Sequence, residues 1–233
     1  MDLFFSNNIS SNQIILSELE SKHCLLSLRK KINDSILITN GKGVIYHAKI
    51  KTIQNKQVVC EDYKIHHMEK RNINISIGIS PIKNKNRFEW FLEKSTEIGV
   101  NNIYPIICDK SEKKIINKKR GEKIIMSAMK QSHNSTLPKL HEVSLFEEVF
   151  NKQYSHSFIA HCHDLPKISL KEGLTKPHRI QDICILIGPE GDFSHNELQL
   201  AQENRFQSVS LSKNRLRTET AGIIACNLIN ALL

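Results

Sequence analysis

ILIGPEGDFSHNE, residues 185–197, and LSKNRLRTETA, residues 211–221, decide the fold of this chain. Both share one grammar: a short apolar strand, a loop of glycine or charge, then a capped helix. In the first, residues 183–187 form an unbroken apolar run, the pattern of a strand buried on both faces. Gly188, Pro189 and Gly191 stop it in a tight turn with an open backbone. Ser194 and Glu197 give a capping-box signature, followed by Leu198, Leu200 and Ala201 in a helical pattern. Strand, glycine loop and helix start can build a small-molecule site at the carboxyl end of a parallel sheet. An ordinary strand–turn–helix connection has the same pattern. No Lys-Ser/Thr pair follows, which excludes a P-loop, and the spacing is GxxG rather than GxGxxG.

The second segment carries the charge. Residues 208–212 alternate as a strand, and residues 218–233 read as a helix with an apolar stripe. Thr218 or Thr220 can cap its start, and Glu219 suits the positive end of the helix dipole. Between strand and helix stand Lys213, Arg215 and Arg217. Three cations beside a glycine-loop pocket point to a polyanion, and arginine forks onto phosphate.

Upstream, a change of rhythm near residue 70 divides the chain into residues 1–70 and 71–233. The first part alternates over residues 35–39, 44–53 and 57–62, with turn signals at Asn40-Gly41 and Asn55-Lys56. One helix is expected over residues 17–28, opened by a Ser17/Glu20 capping box. This is a small β-barrel-like domain with a helix. Lys22, Arg29, Lys30 and Lys31 are either its cationic face or a solvated charge run at a helix end. The second part alternates strand and helix: strands at 73–80, 103–108 and 155–161, helices at 85–98 and 117–132. That order argues a mostly parallel sheet with helices on both sides, an α/β fold. On the 85–98 helix, Phe88, Phe91, Leu92 and Ile98 can face the core. Arg87, Lys94 and Glu97 lie on another face, suited to surface ion pairs or to phosphate.

The formal net charge is +9 and the sequence pI about 9.2, which favours a polyanionic partner. No apolar run approaches the ~20 residues that span a bilayer, and MDLFFSNN lacks the pattern of a secretory signal. Six scattered cysteines, mostly within apolar runs, read as buried reduced thiols of a cytoplasmic protein. His161-Cys162-His163-Asp164 would point its histidines to one face of a strand and its cysteine to the other, so no metal is expected.

GPEGDFSHNE and LRTETA together resemble the SPOUT-class RNA methyltransferases, and specifically the RsmE-like family that methylates N3 of a uridine in small-subunit ribosomal RNA. FEWFLEKSTEIGV at residues 88–100, KQSHNSTLP at residues 130–138 and the stretch from His23 to Arg29 fit the same family in its order. The chain departs from the family's common wording at Ser212, Asn214 and Arg215, and at Lys130, His133 and Asn134. The resemblance implies a PUA-like RNA-binding β-barrel before a SPOUT domain with a deep trefoil knot, whose loops hold S-adenosylmethionine. It implies cofactor contacts from Leu186, Ile187, Gly188, Pro189, Glu190 and Gly191, and from Leu211, Ser212, Asn214, Leu216, Arg217 and Thr218. Glu219 is the first candidate to take the uridine proton or orient the substrate, Glu190 the second, and Arg217 the electrostatic partner. Lys22, Arg29, Lys30, Arg87, Lys94, Gln131 and Ser132 become RNA-binding candidates. The implied partner is 16S rRNA in the small ribosomal subunit, and the implied assembly a homodimer. A SPOUT enzyme acting on transfer RNA, or a non-catalytic RNA-binding protein, would carry many of the same features; the intact GPEG and RTETA loops argue against the latter.

Overall fold

The computed structural model describes residues 2–67, 73–175 and 181–233, the side chains of residues 66 and 67 excepted. Contacts divide the chain into two compact units, Met1–Lys70 with Met126–Leu137, and Arg71–Ile125 with Pro138–Leu233. The division expected near residue 70 falls outside the described residues. Residues 126–137, read with the second domain in the sequence, pack in the first unit.

In the first unit, strands β1 (Leu3–Phe5), β2 (Asn8–Ile9) and β3 (Ile14–Ile15) precede a short helix, α1 (Glu18–Lys22). Strands β4 (Ser35–Thr39), β5 (Val44–Gln54) and β6 (Gln57–His67) follow. They form one six-stranded sheet in the order β1-β4-β5-β6-β3-β2. β5 alternates buried and exposed residues, so one face meets the core of Phe4, Ile14, Leu16, Ile36, Ile38 and Ile50. The helix expected over residues 17–28 is instead five α-helical residues and then a π-helical turn, His23–Ser27. Ser17 caps it by accepting from the Glu20 N–H at 3.3 Å, but Glu20 does not close the box. Its carboxylate accepts from the Phe5 N–H at 3.2 Å and pairs with Lys130 at 2.5 Å.

The second unit runs β7 (Asn74–Ile79), α2 (Lys85–Ile98), β8 (Asn102–Ile107), α3 (Lys118–Gln131), β9 (Lys139–Leu140) and β10 (Ser144–Leu145). After a 3-10 turn come β11 (His156–Ala160), β12 (Ile168–Ser169), α4 (Leu170–Leu174), β13 (Asp182–Ile187), α5 (His195–Glu203), β14 (Gln207–Ser210) and α6 (Thr218–Leu232). The sheet order is β10-β8-β7-β13-β11-β14-β12, with β9 on β8, and the described pairings are parallel. β13 sits between β7 and β11, and Ile183 to Ile187 are all buried, as their apolar run requires. The Ser194/Glu197 box forms in both directions, at 3.2 and 2.7 Å. Because all three central strands point the same way, the loops after β11, β13 and β14 emerge on one edge. No helix among the described residues is long and apolar enough to cross a membrane.

Candidate active site

Those three loops enclose a cavity of about 650 Å³. The first expected loop contributes Ile187, Gly188, Pro189 and Glu190, and the second Leu211, Ser212, Asn214, Leu216, Arg217 and Thr218, with Glu219 behind them. Leu186 and Gly191 do not line it. The Leu186 side chain is fully buried in the core, and Gly191 lies against Lys110, whose Nζ donates to the Gly191 carbonyl at 3.1 Å.

Thr218 corrects the expected capping. The cap of α6 is Arg217, with no side-chain cap bond. The Thr218 hydroxyl instead donates to the Gly188 carbonyl at 3.1 Å, a buried bond that ties the two loops together across the sheet edge. A Cβ on Gly188 would stand 3.1 Å from the Phe193 ring, close enough that the ring would have to give way. The left-handed residue of this loop is Asp192, with φ 61°, rather than either glycine. Its carboxylate accepts from the N–H of Cys162 at 2.8 Å and of Phe193 at 2.8 Å, so it pins the third loop to the first.

Glu219 is 5 % exposed, and Arg87 Nε stands 3.6 Å from its Oε1. Arg87, read from the sequence as an RNA-binding candidate, thus lines the cavity beside the candidate base. Lys94 does not join it: Glu93 and Glu97 hold its ammonium at 2.7 and 2.9 Å, the surface ion-pair face. Glu190 Oε1 accepts from the Lys83 N–H at 3.3 Å. Lys22, Arg29, Lys30, Gln131 and Ser132 belong to the first unit. Lys22, Arg29 and Gln131 are exposed, Lys30 pairs with Asp2 at 3.4 Å, and the Ser132 hydroxyl donates to the Ala128 carbonyl at 2.8 Å.

The sequence reading missed the third loop, where Ala160, His161, Cys162 and Lys167 also line the cavity. Five of the cysteines are buried free thiols, whereas Cys162 is exposed on this wall. His161 is 5 % exposed, and neither ring nitrogen finds a partner within hydrogen-bonding geometry among the described residues. Burial, and then the charge of Lys167, lower its pKa. The signal was available: residues 155–161 were read as a parallel strand, and its carboxyl end had to open beside the other two. No group of three His, Cys, Asp or Glu suited to a metal occurs among the described residues.

The walls suit an adenosine joined to an amino acid. Ile187, Val209, Leu211 and Leu216 supply apolar surface, and cations and carboxylates lie in the same cavity. A family model described as an RNA methyltransferase domain matches residues 69–230, and an RNA methyltransferase PUA domain matches residues 16–63. Ribosomal RNA small subunit methyltransferase E 2 of Borreliella burgdorferi is 32% identical, over 97% of this chain and 95% of the relative. The corresponding Buchnera aphidicola (subsp. Acyrthosiphon pisum) methyltransferase is 30% identical over 99% and 92%. This chain belongs to the ribosomal RNA small subunit methyltransferase E family. A Porphyromonas gingivalis structure described as a "probable rRNA-methyltransferase" superposes with TM-score 0.88 at 35% identity, covering 100% of this chain and 98% of that one. A Neisseria gonorrhoeae methyltransferase E, bound to S-adenosyl methionine, gives TM-score 0.84 at 28% identity over 100% and 98%. The family models thus find both an RNA methyltransferase domain and a PUA domain in this chain.

Proposed function

We propose that this chain transfers a methyl group from S-adenosylmethionine to N3 of a uridine in the 16S RNA of the small ribosomal subunit. The observation that carries the reading is the cavity shared by three strand-end loops, with one buried carboxylate, Glu219, beside one guanidinium, Arg87. Bound there, S-adenosylmethionine supplies an activated methyl on a sulfonium. Ile187, Gly188, Pro189, Leu211 and Leu216 would hold the cofactor, with Ser212 and Asn214 at the exposed rim. Loop closure through Thr218 and Asp192 orients the reactants, which is where much of the rate of such a displacement arises. N3 becomes a good nucleophile only when its proton leaves. Glu219 takes that proton or fixes the ring that loses it, and Arg217 and Arg87 stabilise the uracil anion. Glu190, also on the cavity wall, is the second candidate for the role of Glu219. N3 is paired in a duplex, so the target uridine is single-stranded or flipped out.

The same reading makes the first unit a PUA-like barrel that docks RNA through Lys22, Arg29 and Lys30, with Gln131 and Ser132 on the substrate side. It makes the C-terminal segment of the second unit thread a deep trefoil knot whose loops form the cofactor pocket, and the working enzyme a cytoplasmic homodimer. The test is transfer from labelled S-adenosylmethionine to small subunits that lack the modification, followed by nucleoside analysis. A labelled 3-methyluridine is the expected product. Label in transfer RNA instead would overturn the target, and no transfer or cofactor binding would overturn the enzyme.

A further inference from the structure

Helix α2 stands between two cavities. Arg87 lines the methyl-transfer cavity, whereas Lys85, Phe88 and Glu89 line a second one of about 180 Å³. Its floor is apolar and buried, made by Ile82, Phe88, Leu92 and Leu140. Its rim is cationic. Arg120 is held by Glu89 in a two-point pair at 2.5 and 2.7 Å, while Lys85 and Lys113 have no ion pair among the described residues. Ile115, at the mouth, is 73% exposed in the middle of the lysine-rich run 113–119.

Glycine at position 121 lets Leu140 and Leu92 pack directly against the helix backbone. It lies inside α3, where glycine costs about 1 kcal/mol against alanine. A Cβ there would stand 2.6 Å from Leu140 Cδ2 and 3.1 Å from Leu92 Cδ1. At the cap of the same helix, Asn117 Oδ1 accepts from the Arg120 N–H at 3.1 Å, which leaves its amide N–H groups as donors at the cleft. A chain of polar contacts runs between residues near the two cavities. Glu190, on the wall of the first, accepts from the Lys83 N–H, and Lys83 Nζ pairs at 2.8 Å with Glu112, the neighbour of Lys113.

We propose that this cleft holds the base of a nucleotide flanking the methylated uridine, with its phosphate on Lys85 and Lys113. The inference rests on the function proposed above. Pockets for drug-sized ligands run about 300–1,000 Å³; this one is smaller, of a size for a single planar ring. An apolar floor under a cationic rim matches a base and its phosphate, the usual terms of single-strand recognition. Extruding the reacting uridine also unstacks its neighbours, which makes a base available one helix-width away. The subsite would give the enzyme sequence preference beyond the uridine itself.

The test uses the full chain with S-adenosylmethionine and a small-subunit RNA fragment carrying a photoreactive 4-thiouracil on either side of the target. Crosslinks to Phe88 or to residues 113–121 are expected. K85E/K113E should raise KM for RNA about tenfold, with kcat and cofactor affinity within about twofold of wild type. Transfer by the wild type with no crosslink at the cleft, or an unchanged KM in the double variant, would overturn the subsite alone. No transfer by the wild type to small subunits that lack the modification would overturn the function and this subsite with it.

Discussion

Glu219 is nearly buried, and its charged neighbour Arg87 lies 3.6 Å away, close enough to neutralise it yet outside the described hydrogen bonds. Such a pair keeps a carboxylate inside the protein while leaving its oxygens available to a substrate. Glu219→Gln preserves shape and removes the charge. Single-turnover transfer should slow by about 10²–10⁴-fold while cofactor affinity holds; full activity would remove Glu219 from the chemistry. His141 supplies a second residue-scale prediction. It stacks on Tyr104 with ring centroids 4.0 Å apart and bonds Asn102 at 3.0 Å. Burial, then Lys152, Lys139 and Lys118, lower its pKa from 6.5 to about 4. The unfolded chain therefore binds this proton first: the stability contribution is full above pH 6.5 and disappears as pH falls through about 4. Tm should drop between pH 7 and 5, and the drop should be shallower in His141→Gln; parallel curves would refute the assignment. At this scale the sequence was only partly readable. Thr218 was legible as a residue at a helix start, but its bond to Gly188 joins positions thirty apart in a crossing of loops, which no local pattern encodes.

At the scale of elements, α2 and α6 show where packing tolerances are tightest. Gly222 lies inside α6, and a Cβ there would stand 2.6 Å from Phe91 Cε2, 2.9 Å from Phe91 Cδ2 and 3.1 Å from Ile79 Cδ1. Phe91 and Ile79 are fully buried, so neither has space to retreat. Gly222→Ala should lower unfolding stability by about 1–3 kcal/mol despite its better helix propensity, measured by denaturant midpoint. A stabilised variant would mean that the two helices slide apart freely. Elements with one unambiguous period were legible: the solid apolar run of β13, the alternation of β5, the Ser194/Glu197 box of α5. The π-helical turn at His23–Ser27 was not, because apolar spacing over five residues fits α and π windings alike. Its neighbour Glu20 escaped its box for the same class of reason, since Lys130, 110 residues later, claims the carboxylate.

Over the whole molecule, charge and domain division set the division of labour. The sequence announced two units from its change of rhythm, yet residues 126–137 join the first unit through contacts such as Thr39 Oγ1 to the Ser135 carbonyl, 96 residues apart. Sequence periodicity follows the helix through that point and is blind to which unit it packs against. The +9 formal charge belongs to both units, so basicity alone does not separate RNA docking from chemistry, but position does. Arg29 is exposed in the first unit, and Arg217 lines the cavity of the second. If Arg29 docks RNA, Arg29→Ala raises KM for the subunit several-fold, an effect that shrinks with added salt because one phosphate contact fewer lowers the salt dependence, and recovers wild-type turnover at saturating RNA. If Arg217 stabilises the uracil anion, Arg217→Ala lowers kcat about 10²–10³-fold and saturation does not restore it. Steady-state kinetics across RNA concentration separate the two, and equal residual losses at saturation would collapse docking and catalysis into one basic surface.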